Sequence, residues 1–266
     1  MHGCGNDFIL VDEPVALDPA KVRALCDRRT GIGADGIIVI GPQRDGVWLV
    51  EVHNADGSVA DACGNGYRCV ARYLLDRNGG DAVALGTPGG VVPARRVPLG
   101  ESRVRVGESW VPLGESTDPS GIAIDLAAPV LGEPLTVSVG GRALEARRVR
   151  VGNPNVVVMV DDPATCDLEL LARTVTSLVG PANVGALAVR GAGELELRVH
   201  ERGAGETLAC GTGSCAAVAA TRTLGVSDDT VRVRLRGGKL LVTPGRERYT
   251  LAGPAEYVFE GTLQES

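Results

Sequence analysis

The strongest constraint on this chain is a short motif that occurs twice. Ala62-Cys63-Gly64-Asn65-Gly66 and Ala209-Cys210-Gly211-Thr212-Gly213 share the core Ala-Cys-Gly-x-Gly. Their cysteines stand 147 positions apart (210 − 63) in a chain of 266 residues. Each motif follows a polar turn, Asn54-Ala55-Asp56-Gly57 or Arg202-Gly203-Ala204-Gly205, and each runs into a helical pattern. Self-similarity at just over half the chain length is the mark of an internal duplication. Two similar halves are therefore expected, joined through the proline-containing stretch 110–121. The division falls at residues 1–112 plus 254–266 for the half carrying Cys63, and 113–253 for the half carrying Cys210.

Glycines and prolines punctuate short Val-rich segments at 36–40, 46–52, 103–107, 137–141, 155–160, 195–199, 230–235 and 238–242. Their length, β-branched content and bounding turn residues read as strands. Helical patterns cover 18–29, 64–79, 164–180 and 213–225. Asp18 stands at an N-cap, with Pro19 at the first helical position. The last segment is nearly all Ala, Val and Thr, and a helix apolar all round belongs in an interior. Aromatic residues are 3% of the chain and hydrophobic residues 44%, so the cores must be built from Val, Leu, Ala and Ile. The pattern predicts an α+β fold of two similar halves, with curved strands wrapped around a central helix.

A helix N-terminus leaves its first N–H groups unpaired and carries positive potential. Glycines there let an anion approach the backbone, and a cysteine there has its thiolate favoured. The dipole contributes about 0.3–1 kcal/mol at exposed sites and up to about 2 when partly buried. At about 1.36 kcal/mol per unit, it brings a thiol from about 8.5 to about 7–8, the range useful for proton transfer near neutrality. Each motif thus offers an anion cradle and an acidified sulfur. Cys4, Cys26, Cys69, Cys166 and Cys215 read instead as small buried hydrophobes.

Metal is not expected. Cys63 and Cys69 are six apart and Cys210 and Cys215 five apart, spacings that turn helical side chains off a common face. His2, His53 and His200 form no spaced ligand set. A hydrolase would pair one thiol with a histidine base, and His53 and His200 each precede a motif by ten residues. That arrangement leaves the second motif idle. Two equivalent thiols facing one small anion suit a symmetric task, in which one removes a proton from carbon and the other returns it on the opposite face. Among the turn-forming polar residues nearby, Arg202 stands out, because a fork of donors before Gly-Ala-Gly suits bidentate carboxylate capture.

At these residues the chain resembles the diaminopimelate epimerase family of pyridoxal-phosphate-independent enzymes. The matching segments are 1–8 (MHGCGNDF), 31–36 (GIGADG), 54–74, 152–155 (GNPN), 183–189, 200–220 and 253–263. The resemblance implies two pseudo-symmetric domains, each a curved sheet or barrel around a central helix, with the active site in the cleft between them. It implies Cys63 and Cys210 as the acid/base pair, and Gly64, Asn65, Gly211 and Thr212 at the helix starts that hold the reacting α-carboxylate. Asn6, Asn54, Asn153, Asn183, Glu201 and Arg202 would bind the reacting amine or the distal amino-acid end, with no cofactor. The chain departs from the family pattern at Asn155, where histidine is usual, and at Gly185, Ala186 and Leu187, which are expected to form a wall of the site.

The leading expectation is epimerisation of LL- to meso-diaminopimelate, a precursor of lysine and peptidoglycan. A racemase of another amino acid such as histidine, and a redox module with a reversible Cys63–Cys210 disulfide, are the alternatives. The net charge of −6 and the scarcity of aromatic residues argue against a nucleic-acid partner. Apolar runs fall far short of the ~18 residues of a membrane span. The N-terminal stretch lacks the basic region and apolar core of an export signal, and seven cysteines, an odd number, point to free thiols in the cytoplasm. Homodimer formation is left open.

Overall fold

The computed structural model describes residues 1–12, 15, 17–98, 103–106, 109–112, 120–191, 193–225 and 230–263. The duplication appears in the order of elements. In the first half, strand Asn6–Val11 leads through helix α1 (Pro19–Cys26) to strands Gly36–Arg44 and Val47–Asn54, then helix α2 (Gly64–Asn78), then strands Ala82–Thr87 and Gly90–Pro98. In the second half, Asn153–Met159 leads through α3 (Leu168–Val179) to Asn183–Gly191 and Glu194–Glu201. Helix α4 (Gly211–Arg222) follows, then Val231–Leu235 and Gly238–Thr243. Register repeats as well as order. Phe8 lies opposite Gly36 in a parallel pair and Ile37 opposite His53 in an antiparallel one. Moved on by 147 positions, the same pairs are Asn155 with Asn183 and Val184 with His200.

Among the described residues, sixteen strands form one continuous sheet, and Arg103–Val106 pairs with Ser109–Pro112 as a separate hairpin. Strand Ser120–Ala127 is the junction, antiparallel to Gly90–Pro98 on one side and to Arg248–Gly253 on the other. The sheet wraps α2 in one half and α4 in the other: Ala82–Thr87 and Ser120–Ala127 pack on α2, and Arg142–Val151, Asn153–Met159 and Glu194–Glu201 on α4. This is the α+β architecture of two similar halves around central helices. The division at 112/113 adjoins 113–119, which lie outside the described residues, as does Gly107 of the segment 103–107.

Local chemistry sets the helix ends. Asp18 accepts a hydrogen bond from the Lys21 N–H, the N-cap interaction that satisfies an orphan donor. The helix expected over 18–29 stops at Cys26, because the Asp27 carboxylate caps the next turn through Arg29 N–H, Thr30 N–H and Thr30 Oγ1. The helix expected over 164–180 begins at Leu168, where Asp167 accepts from the Leu170 N–H. Helix α4 is buried at every position from Gly211 to Thr221. Its run of alanines lets the sheet close around it, as its lack of a polar face requires. The two central helices meet at their starts: a Cβ on Gly211 would fall 3.0 Å from Gly64 Cα, and one on Gly64 would fall 3.2 Å from Gly211 Cα.

Candidate active site

Cys63 and Cys210 are the N-caps of α2 and α4. The Cys63 sulfur accepts from the Gly66 N–H at 3.4 Å and the Cys210 sulfur from the Gly213 N–H at 3.3 Å. Ser, Thr, Asp and Asn satisfy this position best, so helix stability does not explain a cysteine at both. Because the helices abut at Gly64 and Gly211, both thiols border one cleft. Asn6, Asn54, Gly64, Asn65, Asn153, Asn183, Glu201, Arg202, Gly211 and Thr212, the other residues singled out in the sequence, all line it too.

The expected acidification of the thiols does not occur. Burial pushes the Cys63 thiol up to about 12 from 9.0, with the Gly66 N–H acting in the opposite direction. Burial also drives Cys210 well above its ordinary range, and the neighbouring Glu201 carboxylate adds to the effect. Removing solvent from a sulfur anion outweighs the helix field, because desolvation of a buried charge shifts a titration by several units and the dipole by little more than one. Both free thiols are therefore protonated near neutral pH, and an internal acceptor is needed to make a base.

Glu201 is placed to be that acceptor. The Cys210 S–H donates to Glu201 Oε2 at 3.0 Å, and Thr207 Oγ1 donates to Oε1 at 2.6 Å. Burial raises the Glu201 carboxyl above its ordinary range, which makes it a better proton acceptor; the Thr207 and Cys210 hydrogen bonds act against this. Thr212 Oγ1 lies 3.4 Å from the Cys210 sulfur. The first half has Asn54 where the second has Glu201, the two being 147 positions apart. Among the described residues no side chain hydrogen-bonds to the Cys63 sulfur.

The asparagines divide into two groups. Asn65 is fully committed within the protein: its Nδ2 donates to Asn6 Oδ1 and to the Ala209 carbonyl, and its Oδ1 accepts from Arg68. What Asn65 can offer a ligand is its backbone N–H in the first turn of α2. Asn6 donates through Nδ2 to Asp35 Oδ2 at 2.7 Å. Asn54 donates to Ser58 Oγ, and Asn183 Oδ1 accepts from the Arg202 N–H. Asn153 donates to the Ala62 carbonyl, yet its buried Oδ1 has no partner among the described residues. A buried acceptor without a donor is costly, and here it borders a cleft. The Arg202 side chain is 41% exposed, with Nη2 at 3.7 Å from Asp61 Oδ2.

Two polar lining residues escaped the sequence reading, Asp35 and Thr207, beside the apolar Phe8, Ala60, Ala62 and Ala204. Asp35 immediately precedes the strand that pairs with Phe8, and residues 31–36 carry no local pattern that marks it for the cleft. The expectation for residues 185–187 is corrected. Ala186 and Leu187 are fully buried in the core, and a Cβ on Gly185 would strike Leu197 Cδ1 at 2.9 Å. This part of the strand packs inward and does not line the cleft. Asn155, 3% exposed, donates to the Asn153 carbonyl, and its own Oδ1 is without a partner.

The family model for diaminopimelate epimerase matches residues 1–110 and 147–258. The chain is 37% identical to the diaminopimelate epimerase of Alkalilimnicola ehrlichii, over 99% of this chain and 97% of that protein. It is 38% identical to that of Prochlorococcus marinus, over 98% and 90%. Among solved structures it superimposes on a hydroxyproline epimerase from Agrobacterium vitis with a TM-score of 0.69 at 14% identity, covering 95% of this chain and 87% of that one. A predicted epimerase from Pseudomonas aeruginosa gives 0.72 at 18%, covering 98% and 94%. Those structural matches share the fold, and the full-length sequence matches decide the membership: this chain belongs to the diaminopimelate epimerase family.

Proposed function

We propose that the protein interconverts LL- and meso-diaminopimelate without a cofactor, one of Cys63 and Cys210 taking the α-proton from one face of the substrate carbon while the other delivers its own proton to the opposite face. The observation that carries this reading is the pair of cysteine-capped helices meeting head to head over one cleft. Backbone N–H groups at both helix starts seat the α-carboxylate, where Gly64 and Gly211 let it approach closely. Fixed donors aimed at an anion also stabilise the charge that develops as the α-proton leaves. The unpartnered Asn153 Oδ1 accepts from a substrate ammonium, while Asn54, Asn183 and Arg202 hold the second amino-acid end.

In the forward step Cys210 passes its proton to Glu201 and takes the α-proton as a thiolate. The Cys63 S–H then delivers its proton to the other face, leaving Cys63 as thiolate, Cys210 as thiol and Glu201 still protonated. The reverse reaction begins from that state. We place residues 1–112 with 254–266 on one side of the cleft and 113–253 on the other. We also place the protein in the cytoplasm, supported by seven unpaired cysteines; no helix among the described residues is long and apolar enough to cross a membrane.

Proton NMR in D2O tests the reading, with LL-diaminopimelate, L-histidine and L-lysine offered separately. Conversion of LL- to meso-diaminopimelate with deuterium at the inverted carbon is expected. Exchange with histidine or lysine alone would assign the same thiols to a different amino acid, and no exchange with any of them would overturn the reading.

A further inference from the structure

Among the described residues the largest fully buried side chain is charged: Arg68, in the second turn of α2, is 0% exposed. A guanidinium does not lose its proton inside a protein, so a full positive charge sits in the interior. Among the described residues it has no carboxylate within ion-pair distance. Its partners are the Gly64 carbonyl at 3.2 Å, Asn65 Oδ1 at 2.9 Å and the Pro254 carbonyl at 3.4 Å. Space is cleared for it. A Cβ on Gly3 would fall 2.9 Å from Nη2, and one on Gly253 would fall 3.5 Å from Nε. Burying an ion is costly unless its hydrogen bonds are well satisfied, and the corresponding position of the second half, 147 residues on, is an uncharged Cys215.

The contacts of Arg68 lead to both catalytic turns. Gly64 is the residue after Cys63. Asn65, held by Arg68, reaches across to the Ala209 carbonyl, and Ala209 is the residue before Cys210. The same amide bonds Asn6 Oδ1, so the link continues to Asp35 at the cleft. Glu201, hydrogen-bonded to Cys210, and Arg68, hydrogen-bonded to the carbonyl of Gly64 next to Cys63, thus break the duplication with opposite charges.

We infer that Arg68 is a positioning residue that locks the two cysteine turns in mutual register through Gly64 and Asn65, and that its charge supports the Cys63 thiolate formed during turnover. The inference rests on the epimerase reading for its kinetic part only. Without Arg68, Asn65 loses the partner that orients it, and both sulfurs move relative to the substrate carbon. Misplacement of about 1 Å can cost about a hundredfold in rate. Lysine would restore the charge but not the planar fork that reaches three acceptors.

The test compares Arg68→Met, Arg68→Lys and Asn65→Ala with the unaltered protein, after circular dichroism establishes that each is folded. Two readouts are taken: kcat and KM for diaminopimelate inversion, and the rate at which iodoacetamide alkylates Cys63 at pH 9, read by mass spectrometry. Arg68→Met is expected to lower kcat about a hundredfold and to slow Cys63 alkylation at least about threefold. Arg68→Lys should recover the alkylation rate and only part of kcat. Asn65→Ala should lower kcat with alkylation unchanged, and adding it to Arg68→Met should cost less than the product of the single effects.

A folded Arg68→Met with kcat within twofold of the unaltered protein overturns the positioning role. Equal alkylation rates in the Met and Lys variants overturn the charge role. If Arg68→Met does not fold, Asn65→Ala still decides the positioning role, and Arg68→Lys, expected to alkylate at the unaltered rate, decides the charge role. Alkylation needs no substrate, so absence of inversion in the unaltered protein would count against the epimerase reading and leave this arm intact.

Discussion

The acidity of Cys63 separates two physical accounts of the site. A helix N-terminus favours the thiolate by at most about 2 kcal/mol. Burial places the thiol at about 12 against 9.0 when free, a difference of about 4 kcal/mol in the opposite direction at about 1.36 kcal/mol per unit. At pH 8 the thiolate fraction is then about one in ten thousand, against about one in ten for an ordinary cysteine. Iodoacetamide reacts with thiolate only, so Cys63 in the unliganded protein should alkylate about a thousandfold more slowly than a solvent-exposed cysteine in a short peptide. Mass spectrometry of the Cys63 peptide across pH 7 to 9.5 reads this directly. The expected profile is a tenfold gain per pH unit with no plateau. A plateau beginning near pH 7–8 would refute the dominance of burial and restore the helix field as the controlling term.

Three further outcomes follow from the same structure. Glu201→Gln removes the group that receives the Cys210 proton, and kcat for inversion should fall about 10²–10³-fold, within the range for a lost general acid–base partner; an unchanged kcat would remove Glu201 from the mechanism. Gly211→Ala puts a methyl 3.0 Å from Gly64 Cα and 2.8 Å from Leu251 Cδ2, and should cost about 1–3 kcal/mol of stability in urea denaturation together with most of the activity. Cys69 and Cys215, fully buried, are held near 12 by burial against 9.0 when free. Above pH 9 the unfolded chain therefore releases protons that the folded one keeps. Stability should fall as pH rises from 9 towards 12, by about 1.4 kcal/mol per thiol at pH 10, and urea midpoints at pH 7 and 10 measure it.

The duplication was legible because a Cys-Gly-x-Gly turn needs specific residues at fixed positions, and both copies retain them. The four helices were also visible, the first through Asp18 and Pro19 at its start and the last through its all-round apolar run. Several strands were not. Arg142–Val151 is rich in arginine and alanine, and Gly90–Pro98 carries Pro93 in its interior. Both fold as strands because their neighbours supply the pairing, which no local pattern records. Site membership could be read from sequence, but site electrostatics could not. The helix field is a local property, while the desolvation that outweighs it at Cys63 and Cys210 depends on what the other half of the chain packs around them. The commitment of Asn65 to Arg68, Asn6 and Ala209 is likewise a tertiary fact, as is the place of Asp35 beside Asn6. Gly185, Ala186 and Leu187 misled because a departure from a family pattern says where chains differ and not which way a strand faces.

The claim at the centre of this account is that two thiols act as one proton-transfer pair, and single alanine variants test it most directly. Inversion of LL-diaminopimelate is followed by chiral chromatography for folded Cys63→Ala and Cys210→Ala, beside the unaltered protein. Loss of inversion by at least about a thousandfold in each variant alone is the predicted result, since removing either member of a unit disables the whole. Inversion at near-normal rate in either variant would contradict the paired mechanism.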